Sequence, residues 1–141
     1  MAITAAPLST EVIEALRQAA VEAASNAYAP YSKFRVGAAL LLSDGVTVSG
    51  CNVENASYGL AFCAERSAVV RAVAERGPGI KIKAVAVANL EGAASPPCGA
   101  CRQVLSEFVE PDAWVFFPGS DGDKSVPFSE VLPYSFELER S

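Results

Sequence analysis

Residues 80–118 read IKIKAVAVANLEGAASPPCGACRQVLSEFVEPDAWVFFP, and the fold turns on this stretch. Ile80–Asn89 carries the Val and Ile content of a buried strand. Pro96 and Pro97 then stop the chain just ahead of a segment, from about Cys98 to Val109, with helical spacing. Trp114–Pro118 follows as a second apolar strand. Two strands of one sheet joined through a helix lie parallel, with a right-handed crossover.

Working outward, Thr10–Tyr28 reads as a first helix, with Glu11 and Glu14 in its opening turn and Ile13, Leu16, Ala20, Ala23, Ala24 and Ala27 along one face. Phe34–Leu42 reads as a strand, and Ser43-Asp44-Gly45 turns the chain into a second strand at Val46–Val53, making a hairpin. Residues 52–62 are irregular, and a helix from about Cys63 to Arg76 is closed by Gly77 and Pro78. A short strand near Val126–Phe128 and a short helix near Ser129–Leu132 complete the order. The expected fold is α/β: a three-layer α/β/α sandwich with one mixed sheet of about five strands and helices on both faces. At 141 residues, without repeats or a dividing linker, 1–141 is expected to be one domain.

Composition narrows function. The net charge of −5, with 11 scattered basic residues, argues against a nucleic-acid or anionic-membrane surface. No apolar run approaches the length of a membrane span. Met1–Ser9 lacks a basic region followed by an apolar one, so a cytoplasmic protein is expected. Hydrophobic residues make up 51% and charged residues 19%, which suggests that part of the surface is covered by other subunits. Four cysteines in such a protein suggest metal ligands or reactive thiols before disulfides. With no histidine anywhere, catalysis must rest on Cys, Glu, Asp, Lys, Tyr or Ser.

If Cys98 opens its helix, Cys98, Cys101, Leu105 and Phe108 fall on one inward stripe. Two thiols at the positive end of a helix favour thiolate, which suits a metal and equally a redox pair. Glu65, Val69, Ala72 and Val73 make a second inward stripe. An acid in a first helical turn ordinarily serves the helix dipole, but an inward carboxylate is costly and points to use. Two positions before Glu65, Cys63 would face away from that stripe in a regular helix, so it is expected at the cap. Three thiolates leave the fourth position of a tetrahedral Zn²⁺ open to water, the catalytic form of a zinc site. Their net negative charge is expected to be offset by the helix N-termini, Arg66 and Arg102.

Cys63-Ala64-Glu65 followed by Pro97-Cys98-Gly99-Ala100-Cys101 resembles the signature of the zinc nucleoside deaminases, in the variant where Cys replaces the usual His. Similarity to the short, tetrameric cytidine deaminases runs through nearly the whole chain, carried by Tyr28–Ala39, Asn52–Tyr58, the cysteine motifs and Leu132–Phe136. The resemblance implies one Zn²⁺ per subunit on Cys63, Cys98 and Cys101. It implies Glu65 as a proton shuttle that activates the metal-held water, protonates N3 and then the departing amine, giving uridine and ammonia. It further implies Asn52 and Glu54 on the ribose 3′-hydroxyl, Phe34 against the nucleoside, the Ala64 amide on the pyrimidine O2, and Tyr31 and Tyr58 at the pocket or subunit contact. Phe136 is expected to stack on the base in a neighbouring subunit of a homotetramer. A carboxylate at the sugar disfavours 3′-nucleotides, and nothing matched reads the 2′-hydroxyl, so cytidine and 2′-deoxycytidine are both expected substrates. Phe62, beside Cys63, is bulkier than the pattern leads one to expect.

Three other readings stand beside this one. A structural zinc site would use Cys51 as a fourth ligand, although Cys51 is more simply a buried apolar thiol. A redox protein built on Cys98 and Cys101 leaves Cys63, Glu65 and Asn52–Glu54 without a role. A deaminase of another cytosine nucleoside, such as blasticidin S, would keep zinc and Glu65 but need not keep Phe136 or the sugar contacts.

Overall fold

In a computed structural model, which describes residues 8–138, the chain runs α1 (Thr10–Ala24), β1 (Val36–Leu42), β2 (Thr47–Cys51), a 3-10 turn (Tyr58–Leu60), α2 (Ala64–Arg76), β3 (Ile82–Asn89), α3 (Gly99–Ser106), β4 (Val109–Gly119), β5 (Gly122–Pro127) and α4 (Phe128–Val131). Most of the amino-terminal stretch read for a secretory signal lies outside the described residues. The five strands form one sheet in the order β2-β1-β3-β4-β5. β3 and β4 pair in parallel across α3, as the crossover requires, and the remaining pairs are antiparallel.

Alternation along the strands divides the core into two layers. Ala39, Ala84, Ala86, Trp114 and Phe116 face α1 through Leu16 and Ala20. Ala38, Leu40, Val48, Val85, Val87 and Val115 face the other way, against Ala64, Ala68 and Ala72 of α2, Leu105 of α3, and Phe128 and Val131 of α4. Helices therefore lie on both faces of a mixed five-stranded sheet, the expected class. Among the described residues no helix is long and apolar enough to cross a membrane.

Two glycines set how closely the helices approach. A Cβ on Gly37 would lie 1.9 Å from the Ala20 carbonyl oxygen, and one on Gly50 would lie 2.5 Å from the Ala68 nitrogen. Gly50 pairs with Ala38 and Gly37 with Cys51, so neighbouring positions on β1 and β2 admit α1 from one side and α2 from the other. Both obstacles are backbone and cannot rotate away. Gly50→Ala should therefore push α2 off the sheet and cost about 1–3 kcal/mol of stability, read as a lower denaturation midpoint. An unchanged midpoint would mean that the contact is not tight.

Several boundaries differ from the sequence reading. The first helix ends at Ala24 rather than Tyr28. The Ser25 hydroxyl bonds back to the Glu22 carbonyl at 2.5 Å. Tyr28 is drawn to the end of β2, its N–H donating to the Asn52 carbonyl and its own carbonyl accepting from Glu54. A sheet-like partner thus replaces further helical bonds. The third helix stops at Ser106 instead of Val109, because Val109 already pairs with Ile82 and opens β4. The register shifts between that pair and Ala84–Trp114, so residues 110–113 bulge, and only the buried part of the strand was visible as an apolar run. β5 spans Gly122–Pro127 rather than Val126–Phe128, and its first four residues are exposed. An edge strand with this polar surface leaves no alternation for periodicity to find.

Candidate active site

Two of the three helices on the α2 face, α2 and α3, begin on cysteines. Cys63 is the N-cap of α2 (φ −74°, ψ 155°) and Cys98 the N-cap of α3 (φ −69°, ψ 166°). Cys63 thus lies at the cap, as its spacing from Glu65 required. Cys98 was expected to open the helical stripe and instead caps it from extended backbone, exposed to solvent. Cys101 and Leu105 are the buried part of that stripe. Phe108 is half-buried beyond the helix end. The Sγ atoms of Cys63, Cys98 and Cys101 all lie within 4.8 Å of one another, and those of Cys63 and Cys98 are 3.7 Å apart. Tetrahedral thiolates at a Zn–S distance of about 2.3 Å sit about 3.8 Å apart. The donor set and its spacing therefore fit zinc, held by these three sulfurs.

Cys51 stands apart from this group. It closes β2 opposite Gly37, whose missing side chain points at α1, so the Cys51 thiol lies on the other face of the sheet. Burial pushes this half-buried thiol's pKa up, as for a packed apolar cysteine. A four-cysteine site is thereby excluded. Three thiols within one cluster likewise leave no isolated Cys98–Cys101 pair for redox chemistry.

Charge within the trio is uneven. On the polypeptide's own charges, hydrogen bonds from Cys101 and Cys98 and the Arg66 guanidinium bring Cys63 down to about 5. The bond to Cys63, together with burial, pushes Cys101 up. A divalent cation bound there deprotonates its thiol ligands outright. Arg66 donates through Nη2 to the Ala61 carbonyl (3.1 Å) and reaches Cys63 Sγ at 3.9 Å. Its guanidinium lies 5.8 Å from the Phe62 ring centre, which gives the bulky Phe62 a partner. Arg102, expected to help offset the thiolates, instead donates to the Pro97 carbonyl (2.8 Å) and the Val131 carbonyl (2.9 Å), tying the start of α3 to α4.

Glu65 is only 4% exposed. Burial raises its carboxyl pKa to about 7, the neighbouring Cys63 thiolate adding to the shift and Arg66 opposing it. A carboxyl poised near neutrality takes up and gives back a proton readily at ordinary pH.

Cys63, Ala64, Glu65 and Cys98 line a cavity of about 330 Å³, together with Phe34, Asn52 and Glu54. The volume suits a small-molecule ligand. Asn52 accepts from Val36 N–H (2.9 Å) and donates to the Phe34 carbonyl (2.8 Å), fixing the backbone that presents Phe34. Glu54 accepts from the N–H groups of Tyr31 (3.0 Å) and Ser32 (3.1 Å) and from the Ser32 hydroxyl. These bonds lower the Glu54 pKa, the Ser32 hydroxyl most, so it presents a carboxylate. Tyr58 is 83% exposed and lines an adjoining cavity that shares Ser32, Glu54 and Ala61 with the first. Phe136, 66% exposed, lines neither. Sequence reasoning gave no role to Ser32 or Ser95, which also line the main cavity. Isolated serines in irregular segments carry no periodic or motif signal.

The model of the cytidine and deoxycytidylate deaminase zinc-binding region matches residues 10–117. A cytidine deaminase of Mycobacterium tuberculosis is 54% identical over 124 residues, covering 88% of this chain and 89% of that one. One from Halalkalibacterium halodurans is 46% identical over 121 residues, covering 85% and 90%. The crystal structure of cytidine deaminase from Burkholderia pseudomallei superposes with a TM-score of 0.79 at 43% identity, covering 92% of this chain and all of that one. The Mycobacterium tuberculosis structure gives 0.78 at 40% identity, covering 89% and 98%. A zinc-fitting trio of thiols beside a buried glutamate, in a cavity on this sheet, thus occurs in a chain that belongs to the cytidine and deoxycytidylate deaminase family.

Proposed function

We propose that this protein deaminates cytidine and 2′-deoxycytidine hydrolytically, giving uridine or 2′-deoxyuridine and ammonia. The observation that carries the reading is the buried Glu65 opening into the same cavity as Cys63 and Cys98. Cys63, Cys98 and Cys101 would hold zinc, which when bound would supply a water that ionises near neutral pH. Glu65 would take a proton from that water and deliver it to N3, so that C4 becomes electrophilic and accepts the hydroxide; it would then carry the proton of the new C4 hydroxyl to the amine as the C4–N bond breaks, leaving the C4 carbonyl and ammonia. The Ala64 N–H, in the first turn of α2 and so without an intrahelical partner, donates to the pyrimidine O2.

Phe34 packs against the nucleoside. Asn52 and Glu54 hold the 3′-hydroxyl with the acceptor capacity left beyond their backbone bonds. The Glu54 carboxylate would repel a 3′-phosphate, so nucleosides are favoured. Arg66 offsets the net negative charge of the metal site. Arg66→Gln should slow turnover several-fold at saturating cytidine, and an unchanged kcat would remove this role.

The whole of residues 1–141 acts as one domain. Tyr58, Leu60, Phe62, Tyr134 and Phe136 are exposed, and burying them between four copies gives the chain its covered surface. Phe136 then closes a neighbouring subunit's pocket by stacking on the base, with Tyr58 at the same contact. Light scattering should return about four times the 14.7 kDa chain mass; a monomer would refute the assembly. A thiolate-held metal suits the reducing cytoplasm, where cell fractionation should find the protein.

Ammonia release tests the activity. Cytidine and 2′-deoxycytidine should be consumed, with 3′-CMP and free cytosine poor substrates. Protein with one zinc per chain that leaves both nucleosides intact would overturn the proposal.

A further inference from the structure

Among the described residues, Glu65 and Ser95 are the two buried polar or charged side chains, and both line the main cavity. Ser95 is 8% exposed. Its backbone N–H is held by the Pro118 carbonyl at 2.8 Å, at the end of β4. No hydrogen bond to its hydroxyl is present among the described residues, and its Oγ is not among the atoms sealed from solvent without a partner. The hydroxyl of an otherwise buried residue therefore meets accessible space at the cavity it lines.

The other polar side chains on the wall differ from it. Asn52 is engaged at both ends of its amide by Phe34 and Val36. Ser32 and Glu54 are bonded to each other, and Glu54 also holds the 31–32 backbone. Cys63 and Cys98 belong to the metal cluster. Ser95 and Glu65 remain as the uncommitted polar groups. Ser95 lies three residues before Cys98, joined by Pro96 and the fully buried Pro97, so its position is tied to a metal ligand rather than to the 31–54 segment.

We infer that the Ser95 hydroxyl contacts the substituent at C4 of the pyrimidine, accepting a hydrogen bond from the exocyclic amine as it departs. This inference rests on the deaminase reading above. Glu65 has one carboxyl group to serve water, N3 and amine in turn. A second acceptor at the same edge orients the amine while Glu65 is engaged at N3. A hydroxyl suits both sides of the reaction, since it accepts from an amino group and donates to the carbonyl of the product.

The test compares Ser95→Ala with the wild type, both with zinc content and melting temperature measured. The readouts are kcat/KM for cytidine, the inhibition constant of uridine, and that of pyrimidin-2-one ribonucleoside, which carries only hydrogen at C4. Loss of one neutral hydrogen bond should lower kcat/KM for cytidine about three- to tenfold. Uridine should weaken similarly, while the pyrimidin-2-one nucleoside should bind as before. Equal weakening of all three ligands, unchanged cytidine kinetics, or a loss of zinc or melting temperature that accounts for the change would each overturn the inference. A wild type with no activity on cytidine would instead overturn the deaminase reading itself.

Discussion

Glu65→Gln should lower kcat for cytidine about 10³- to 10⁴-fold, the upper range for removing a general acid–base group. The carboxyl is asked to move a proton at three points of one turnover, and the amide of Gln carries none. Gln keeps the shape of the side chain, so the cavity, the first turn of α2 and the sulfur cluster should stay in place and zinc should remain stoichiometric. The fold should tolerate the change well, because the native group is buried. A carboxyl whose pKa rises from 4.5 to about 7 on folding binds its proton more tightly in the native state. On the polypeptide's own charges, stability linked to Glu65 therefore falls as pH rises between those two values. Gln carries no such penalty, and the variant's melting temperature at pH 8 should equal or exceed that of the wild type. Substantial turnover by a zinc-loaded Glu65→Gln protein would remove Glu65 from the chemistry.

Cys101→Ser should abolish the metal site. Cys101 is fully buried in α3, and its sulfur completes the trio with those of Cys63 and Cys98. A serine hydroxyl is a weak ligand for zinc in place of a thiolate. Metal content should fall well below one per chain and activity at least about 10³-fold, on the scale of losing an essential catalytic group. The melting temperature should fall too. Ligand held by the folded state alone stabilises it by about 2.7 kcal/mol at a free concentration a hundredfold above Kd, and the variant forgoes that stabilisation. Cys51→Ser is the matched control. Its thiol lies across the sheet from the cluster, so full zinc and near-native rates are expected. Loss of zinc from the Cys51 variant, or full zinc in the Cys101 variant, would contradict the assignment of ligands.

Much of this was legible in residues 80–118 because burial and periodicity coincide there. Val85, Val87 and Val115 pack against one helical layer while Ala84, Ala86 and Phe116 pack against the other, so both strands read as continuous apolar runs. Glu65 stood out by falling on the stripe of Val69 and Ala72, and its burial matches that spacing. Cys63 was expected at a cap because the same geometry turned it away. β5 and the early part of β4 were not legible, since exposed polar residues and a bulge hide the strand period. The shortening of α1 was equally hidden, because Tyr28 is held by Asn52 and Glu54, more than twenty positions away. Ser32 and Ser95 gain their importance from what surrounds them in space. A serine's role depends on whether its hydroxyl finds a partner, and no local pattern records that.

The most direct measurement is the ultraviolet absorbance of cytidine incubated with the purified protein, run alongside its metal content. The protein with one zinc per chain should convert cytidine to uridine, chelation should stop the conversion, and restoring zinc should recover it. A zinc-loaded protein that leaves the cytidine spectrum unchanged, or conversion that persists at full rate once the metal is gone, would contradict the account.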